Sequence, residues 1–118
     1  MKKILIIEDH VAIARVLGAY LRKENYEVEM VHHGAEALEA FERVKPALVL
    51  LDIMMPGMDG WAVIKHIREK SACPVIMLTA LSMTEHKLSG LRAGADDYIA
   101  KPFVAEEVVA RVNAVLRR

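Results

Sequence analysis

Short apolar runs alternate along the chain with stretches in which apolar residues recur at helical spacing. "KILII" (Lys3 to Ile7) is compact and isoleucine-rich, which predicts a buried strand. Ile13, Val16, Leu17, Tyr20 and Leu21 then fall on one face of a helix. "YEVEMV" (Tyr26 to Val31) alternates, as a strand nearer a sheet edge does. Ala37, Leu38, Phe41 and Val44 mark a second helix after Gly34, and "ALVLL" (Ala47 to Leu51) a third strand, apolar throughout. Val63, Ile64 and Ile67 mark a third helix opening near Gly60, and "PVIML" (Pro74 to Leu78) a fourth strand. Leu88 and Leu91 lie on a short fourth helix ended by Gly94, "DYIA" (Asp97 to Ala100) is a short fifth strand, and Val108, Val112, Val115 and Leu116 give the last helix.

Strands and helices in strict alternation imply an α/β protein, with a parallel sheet and helices on both faces. Composition narrows this further. At 118 residues the chain suits one domain around a single core. A hydrophobic share of 54% excludes a disordered chain, and a formal net charge of zero gives no electrostatic footprint for nucleic acid. The single cysteine, Cys73, has no internal partner, which fits a reducing cytoplasm. No apolar run approaches the roughly 20 residues that span a bilayer. The opening "MKKILIIEDH" is too short for a secretory signal, so no membrane partner is expected.

The polar residues that follow the strands carry the chemistry. Glu8 and Asp9 follow the first strand, Asp52 the third, Thr79 the fourth, and Lys101 with Pro102 the fifth. In an open parallel sheet, ligands bind outside the carboxyl ends of the strands, so these residues converge on one edge. Three crowded carboxylates repel one another, and a divalent cation relieves that repulsion. Mg²⁺ suits such a site because it needs few protein oxygens and keeps waters. Lys101 supplies a point charge and Thr79 a hydroxyl donor for an oxyanion. No Walker loop and no GxGxxG is present to cradle a nucleotide. The remaining anion is a phosphoryl group on Asp52 itself, since carboxylates act as nucleophiles toward phosphoryl groups.

With "IIEDH", "LVLLDIMMPGMDG", "VIMLTA" and "GADDYIAKPF", the chain resembles the response-regulator receiver domain, the CheY-like phosphoacceptor module of two-component signalling. The resemblance covers essentially all of residues 1–118. It implies the flavodoxin-like (βα)5 doubly wound fold with strand order 2-1-3-4-5, for which CheY is a standard example. It also implies that a sensor histidine kinase phosphorylates Asp52. Asp9, Asp52 and the backbone carbonyl of Met54 would ligate Mg²⁺ (or Mn²⁺), with Glu8 acting through water. Thr79 and Lys101 match the residues that bind the phosphoryl oxygens, and Tyr98 the aromatic that turns inward when Thr79 moves. A cis peptide is implied at Lys101–Pro102. Pro56 and Gly57 fit a tight turn beside the acceptor, and Asp59 or Gly60 starts the next helix.

"GADDYIAKPF" followed by "VVARV…LRR" is similar to the OmpR/PhoB subfamily, in which the receiver precedes a winged-helix DNA-binding domain. The chain would then be the N-terminal part of a longer cytoplasmic regulator. It would meet DNA only through a C-terminal output domain and form a symmetric homodimer on phosphorylation. Leu88, Leu91 and Ala110 match the apolar patch of that dimer face, and Lys87, Asp96, Asp97, Glu107, Arg111 and Arg118 its charged rim. Asn113 and Arg92 depart from the pattern, which usually has a basic and an acidic residue there. Two alternatives remain. One is a stand-alone receiver acting by protein–protein contact. The other is a haloacid dehalogenase-type phosphohydrolase, which also uses a strand-end Asp. That class places a second Asp two positions on, where this chain has Met54, and usually carries a cap domain. The five histidines show no metal-ligand spacing.

Overall fold

A computed structural model describes residues 1–80 and 94–117. Five parallel strands, β1 (Lys3–Ile7), β2 (Glu27–Val31), β3 (Leu48–Asp52), β4 (Val75–Thr79) and β5 (Asp97–Ala100), form one sheet in the order β2-β1-β3-β4-β5. Three helices, α1 (Val11–Lys23), α2 (Ala37–Val44) and α3 (Gly60–Lys70), and a last helix (Ala105–Arg117) connect or follow them. The predicted helix around Leu88 and Leu91 lies outside the described residues.

Because successive strand residues point to opposite faces, each strand feeds two cores. Leu5, Ile7, Val49, Leu51 and Met77 pack with Phe41 of α2 and with Val63, Ile64 and Ile67 of α3. Ile4, Ile6, Leu48, Leu50, Ile76 and Leu78 pack with Ala14, Leu17 and Leu21 of α1 and with Val108 and Val112 of the last helix. β3 and β4 are buried at every position, whereas edge strand β2 is not, which is why only β2 reads as alternating.

The boundaries differ from the sequence reading where tertiary partners intervene. Asp52 and Thr79 are not residues after their strands but the last paired residues within them, opposite Leu78 and Ala100. Tyr26 falls outside β2 because its N–H bonds back to the Leu21 carbonyl at the end of α1. A 3₁₀ turn, Gly34–Glu36, precedes α2. The start of α3 is capped by Asp59, whose Oδ1 accepts from the N–H groups of Trp61 (3.0 Å) and Ala62 (3.3 Å). Gly60 lets that first turn approach β3: a Cβ there would sit 2.6 Å from the Ile53 Cα.

Cys73 lies just before β4, buried against the Pro46 carbonyl, with its Sγ 3.4 Å from that oxygen. Burial pushes the thiol up to about 11 from an ordinary value of 9.0, against a smaller opposing pull from Arg68. A group whose folded value is raised contributes stability below its unfolded value and loses it as pH rises through the folded one. Stability should therefore fall from pH 9 toward pH 11 by up to about 1.4 kcal/mol per pH unit more in the parent than in Cys73→Ala. Urea denaturation of both proteins across that range measures the difference, and equal slopes would refute the burial argument.

Candidate functional site

The carboxyl ends of β1, β3 and β5 meet around one ammonium. Glu8, directly after β1, is fully buried, and Asp52, closing β3, is 2% exposed. Lys101 follows β5 and reaches between them. Its Nζ donates to Asp52 Oδ2 at 3.0 Å and lies 2.7 Å from Glu8 Oε1, a close ion contact rather than an aligned hydrogen bond. The Lys101 backbone N–H donates to the Thr79 carbonyl at 2.7 Å, fixing the end of β5 against that of β4, and the Lys101–Pro102 peptide is cis. The second Asp52 oxygen, Oδ1, accepts from the Met54 N–H at 2.9 Å, so the turn after β3 also orients the carboxylate.

Protonation follows from this crowding. Burial chiefly raises the Glu8 carboxyl, and neighbouring Asp52 adds to the rise, while Lys101 and the His10 N–H oppose it. For Lys101, burial favours the neutral amine, but the close carboxylates of Glu8 and Asp52 outweigh it and raise the ammonium above its ordinary value. Burial also acts to raise Asp9. Hydrogen bonding with Glu8, the His10 charge and its own backbone together overcome it and hold Asp9 below the usual range.

This cluster could hold a metal ion. One donor atom each from Glu8, Asp9, His10 and Asp52 lies within 4.8 Å of the others. The donors are mostly hard oxygens, as a small divalent cation requires. Asp9 Oδ1 is buried and accepts no hydrogen bond, so a cation would complete it.

Glu8, Asp9, Asp52 and Lys101 are thus brought together, with buried Thr79 (2% exposed) on the same edge. Tyr98 lies one strand position before Ile99 and packs, half-buried, on the α2–α3 side of the core. The described residues expected on a dimer rim, Asp96, Asp97, Glu107 and Arg111, are engaged within the chain. Asp96 Oδ2 accepts from Arg68 Nη2 (2.7 Å) and the Val75 N–H (2.8 Å). Asp97 pairs with Arg111 Nη1 at 2.9 and 3.0 Å, and Glu107 lies 3.4 Å from Arg111 Nη2. Ala110 is exposed on the last helix, whereas Lys87, Leu88, Leu91, Arg92 and Arg118 lie outside the described residues.

Three side chains that organise this region lie outside the residues expected at the site. Arg68 ties α3 to Asp96 and to the Gly94 carbonyl (2.8 Å). His32 Nδ1 lies 3.0 Å from the Glu8 carbonyl, and His10 faces the carboxylates. Only His10, adjacent to Glu8 and Asp9 in sequence, left a signal.

A family model described as the response regulator receiver domain matches residues 4–113. The chain is 48% identical over 116 residues to the transcriptional regulatory protein ResD of Bacillus subtilis, covering 98% of this chain and 48% of that protein. It is 48% identical over 118 residues to the sensory transduction protein RegX3 of Mycolicibacterium smegmatis, covering 100% of this chain and 52% of that one. The chain spans about half the length of the curated relatives it matches. Among solved structures, the receiver domain of the Francisella response regulator 1452 superposes with a TM-score of 0.93 at 34% identity, covering 100% of this chain and 98% of that one. The BeF3-activated N-terminal receiver domain of Klebsiella pneumoniae RstA gives 0.91 at 36% identity, covering 98% and 99%.

Removing Lys101 leaves two buried carboxylates without their cation. Lys101→Met should cost about 3 kcal/mol at pH 8 in the absence of divalent metal, the usual loss when one partner of a buried pair is deleted. The cost should shrink by pH 5, where a proton can replace the ammonium. Urea titrations at both pH values test this; a loss that does not depend on pH would contradict it.

Proposed function

The chain belongs to the response regulator receiver domain family, and from that premise we propose that Asp52 is its phosphoacceptor, phosphorylated by a sensor histidine kinase. The observation that carries the reading is the pairing of Asp52 with Lys101 at 3.0 Å beside Asp9 and Glu8, at the carboxyl edge of the sheet. An Asp52 carboxylate oxygen attacks phosphorus, forming an acyl phosphate, and the bond from phosphorus to the donor breaks with its electron pair leaving on the donor. Lys101, already directed at Oδ2, neutralises charge on the incoming oxygens, and the Met54 N–H keeps the carboxylate aimed. Asp9, Asp52 and the Met54 carbonyl, with Glu8 through water, would hold Mg²⁺ or Mn²⁺, which when bound neutralises carboxylates and phosphoryl group together. The chain acts as a switch, its chemistry confined to gaining and losing its own phosphoryl group.

Val11, Met54 and Val104 support a docked protein donor. They follow β1, β3 and β5 with exposures of 39%, 57% and 63%, and so offer apolar surface after the strand ends that carry the site. The length of the relatives and the transcriptional name of ResD support an output domain after this one, with DNA contacted only there. Among the described residues no helix is long and apolar enough to cross a membrane, and a cytoplasmic setting fits the family.

A phosphoryl group adds about −1.5 to −2 charge and three acceptor oxygens. Thr79 moves to donate to one of them, Tyr98 turns into the vacated space, and the face including β5 and the last helix changes shape. That face then forms a symmetric homodimer.

The acceptor assignment is tested by Asp52→Asn. With acetyl phosphate and Mg²⁺, the parent should gain one acid-labile phosphoryl group by mass and the variant none; full incorporation by the variant would remove Asp52 from the role. The switch is tested by sedimentation. Beryllofluoride with Mg²⁺ should convert the parent to dimers. Arg111→Glu should dimerise at least tenfold more weakly, because it sets a like charge against Asp97 and Glu107. Equal dimerisation of the two proteins would count against this face.

A further inference from the structure

Among the described residues, His10 is the one nitrogen ligand that joins the carboxylates of the acid site. It occupies the N-cap position of α1, yet its side chain makes no cap hydrogen bond. The ring turns instead to the carboxylates, with Nδ1 3.4 Å from Glu8 Oε2 and 3.5 Å from Asp9 Oδ1. The backbone holds it there, since the His10 N–H donates to Glu8 Oε2 at 3.2 Å. Its side chain is 66% exposed, so the ring can rotate without disturbing the core. Two other described histidines face other partners: His32 the Glu8 carbonyl and His66 Glu42.

The spacing fits one ion. An octahedral cation with ligands at about 2.1 Å sets neighbouring donors about 3 Å apart and opposite ones about 4.2 Å apart. The His10 nitrogen is already 3.4 to 3.5 Å from two carboxylate oxygens, and all four donors lie within 4.8 Å. Closing onto an ion needs movements of well under an ångström to about that size, which an exposed ring can make. The buried Asp9 Oδ1, which accepts no hydrogen bond, is the oxygen such an ion would share with His10.

We propose that His10 makes this a mixed oxygen–nitrogen site that selects borderline first-row cations such as Ni²⁺ over Mg²⁺. Imidazole is a poor partner for hard Mg²⁺, which takes oxygens and water, but a good one for Ni²⁺ and its neighbours. With Mg²⁺ the ring stays outside the coordination sphere. With a borderline cation the unprotonated Nδ1 joins it. Such a cation then competes with Mg²⁺ for Asp9 and Asp52, so the switch responds to the identity of the available metal. The inference rests on the reading of Asp9 and Asp52 as metal ligands.

Calorimetry with Mg²⁺ and with Ni²⁺ on the parent, His10→Asn and Asp9→Asn separates the two readings. The parent should bind Ni²⁺ more tightly than Mg²⁺. His10→Asn should weaken Ni²⁺ roughly 10- to 100-fold, the range seen when metal-site partners are removed, and change Mg²⁺ by less than about threefold. Asp9→Asn should weaken both. Unchanged Ni²⁺ affinity in His10→Asn with Mg²⁺ still dependent on Asp9 would overturn the role of His10 alone. Loss of Ni²⁺ in His10→Asn but not in Asp9→Asn would place the nickel at another site and overturn it too. Mg²⁺ binding unaffected by Asp9→Asn would overturn the underlying site. As a second readout, Ni²⁺ should broaden the His10 ring protons in NMR spectra before those of His32, His33 or His66, and the reverse order would also refute it.

Discussion

The contact on which the carboxyl edge depends is the ammonium of Lys101 between Glu8 and Asp52, at 2.7 and 3.0 Å. Each buried charge taken from water costs several kcal/mol even after relaxation. Two carboxylates under such burial are tolerable only with a cation or a proton among them. The fold supplies the cation from a different strand, so the site exists only when β1, β3 and β5 are all in place. This links local chemistry to global topology: a register shift in β5 would withdraw the ammonium and leave Glu8 and Asp52 in conflict. The bond from the Lys101 N–H to the Thr79 carbonyl opposes that shift.

The sheet order sets what each strand can contribute. β1, β3 and β4 are central, and their buried, apolar bodies hold the polar ends rigidly. β5 is an edge, with one strand partner and only Ile99 fully buried. On the proposed function, the charge that would change partners when a phosphoryl group arrives is therefore carried by the least constrained strand beside the site. The proposed acceptor, Asp52, is carried by the most constrained one. That division suits a receiver, in which the acceptor must stay aimed while the responding elements move.

The fold was legible in the sequence because a parallel sheet covered on both faces produces short apolar runs, and their regular alternation with helically spaced stretches marks them as strands. "ALVLL" and "PVIML" identify β3 and β4 within a residue at each end. The strand-end positions of Glu8, Asp9, Asp52 and Lys101 were legible for the same reason, once the alternation implied one functional edge. Arg68 was not. Its partners, the Gly94 carbonyl and Asp96, are more than twenty residues away in sequence, and an arginine on an amphipathic helix looks like any solvated charge. The link from Tyr26 to Asn113 and on to Glu24 is invisible for the same reason, although it ties the α1–β2 turn to the last helix. Asn113 departs from the subfamily pattern, and this intrachain contact accounts for an amide at that position.

The charges expected on the dimer rim show how such a face can be both poised and quiet. Arg111 is held bidentate-like by Asp97 through Nη1 and approached by Glu107, while Asp96 is held by Arg68 and the Val75 N–H. Each of these four described groups already has a partner, so exposing the same face to a second copy would gain little: pairs would be exchanged rather than added. Half-exposed pairs of this kind are worth about 1 kcal/mol or less each, and exchanging them costs correspondingly little. On the proposed switch, the balance between intrachain and interchain pairing would then be nearly level, and a few kcal/mol applied at Asp52 would be enough to tip it. Asp96 is the exception. Its carboxylate closes a backbone N–H at the start of β4, and withdrawing it would leave that donor unsatisfied. In the proposed dimer, Asp97 and Arg111 would therefore be the pair free to exchange, while Asp96 would stay with its own chain and keep the end of α3 fixed to the sheet.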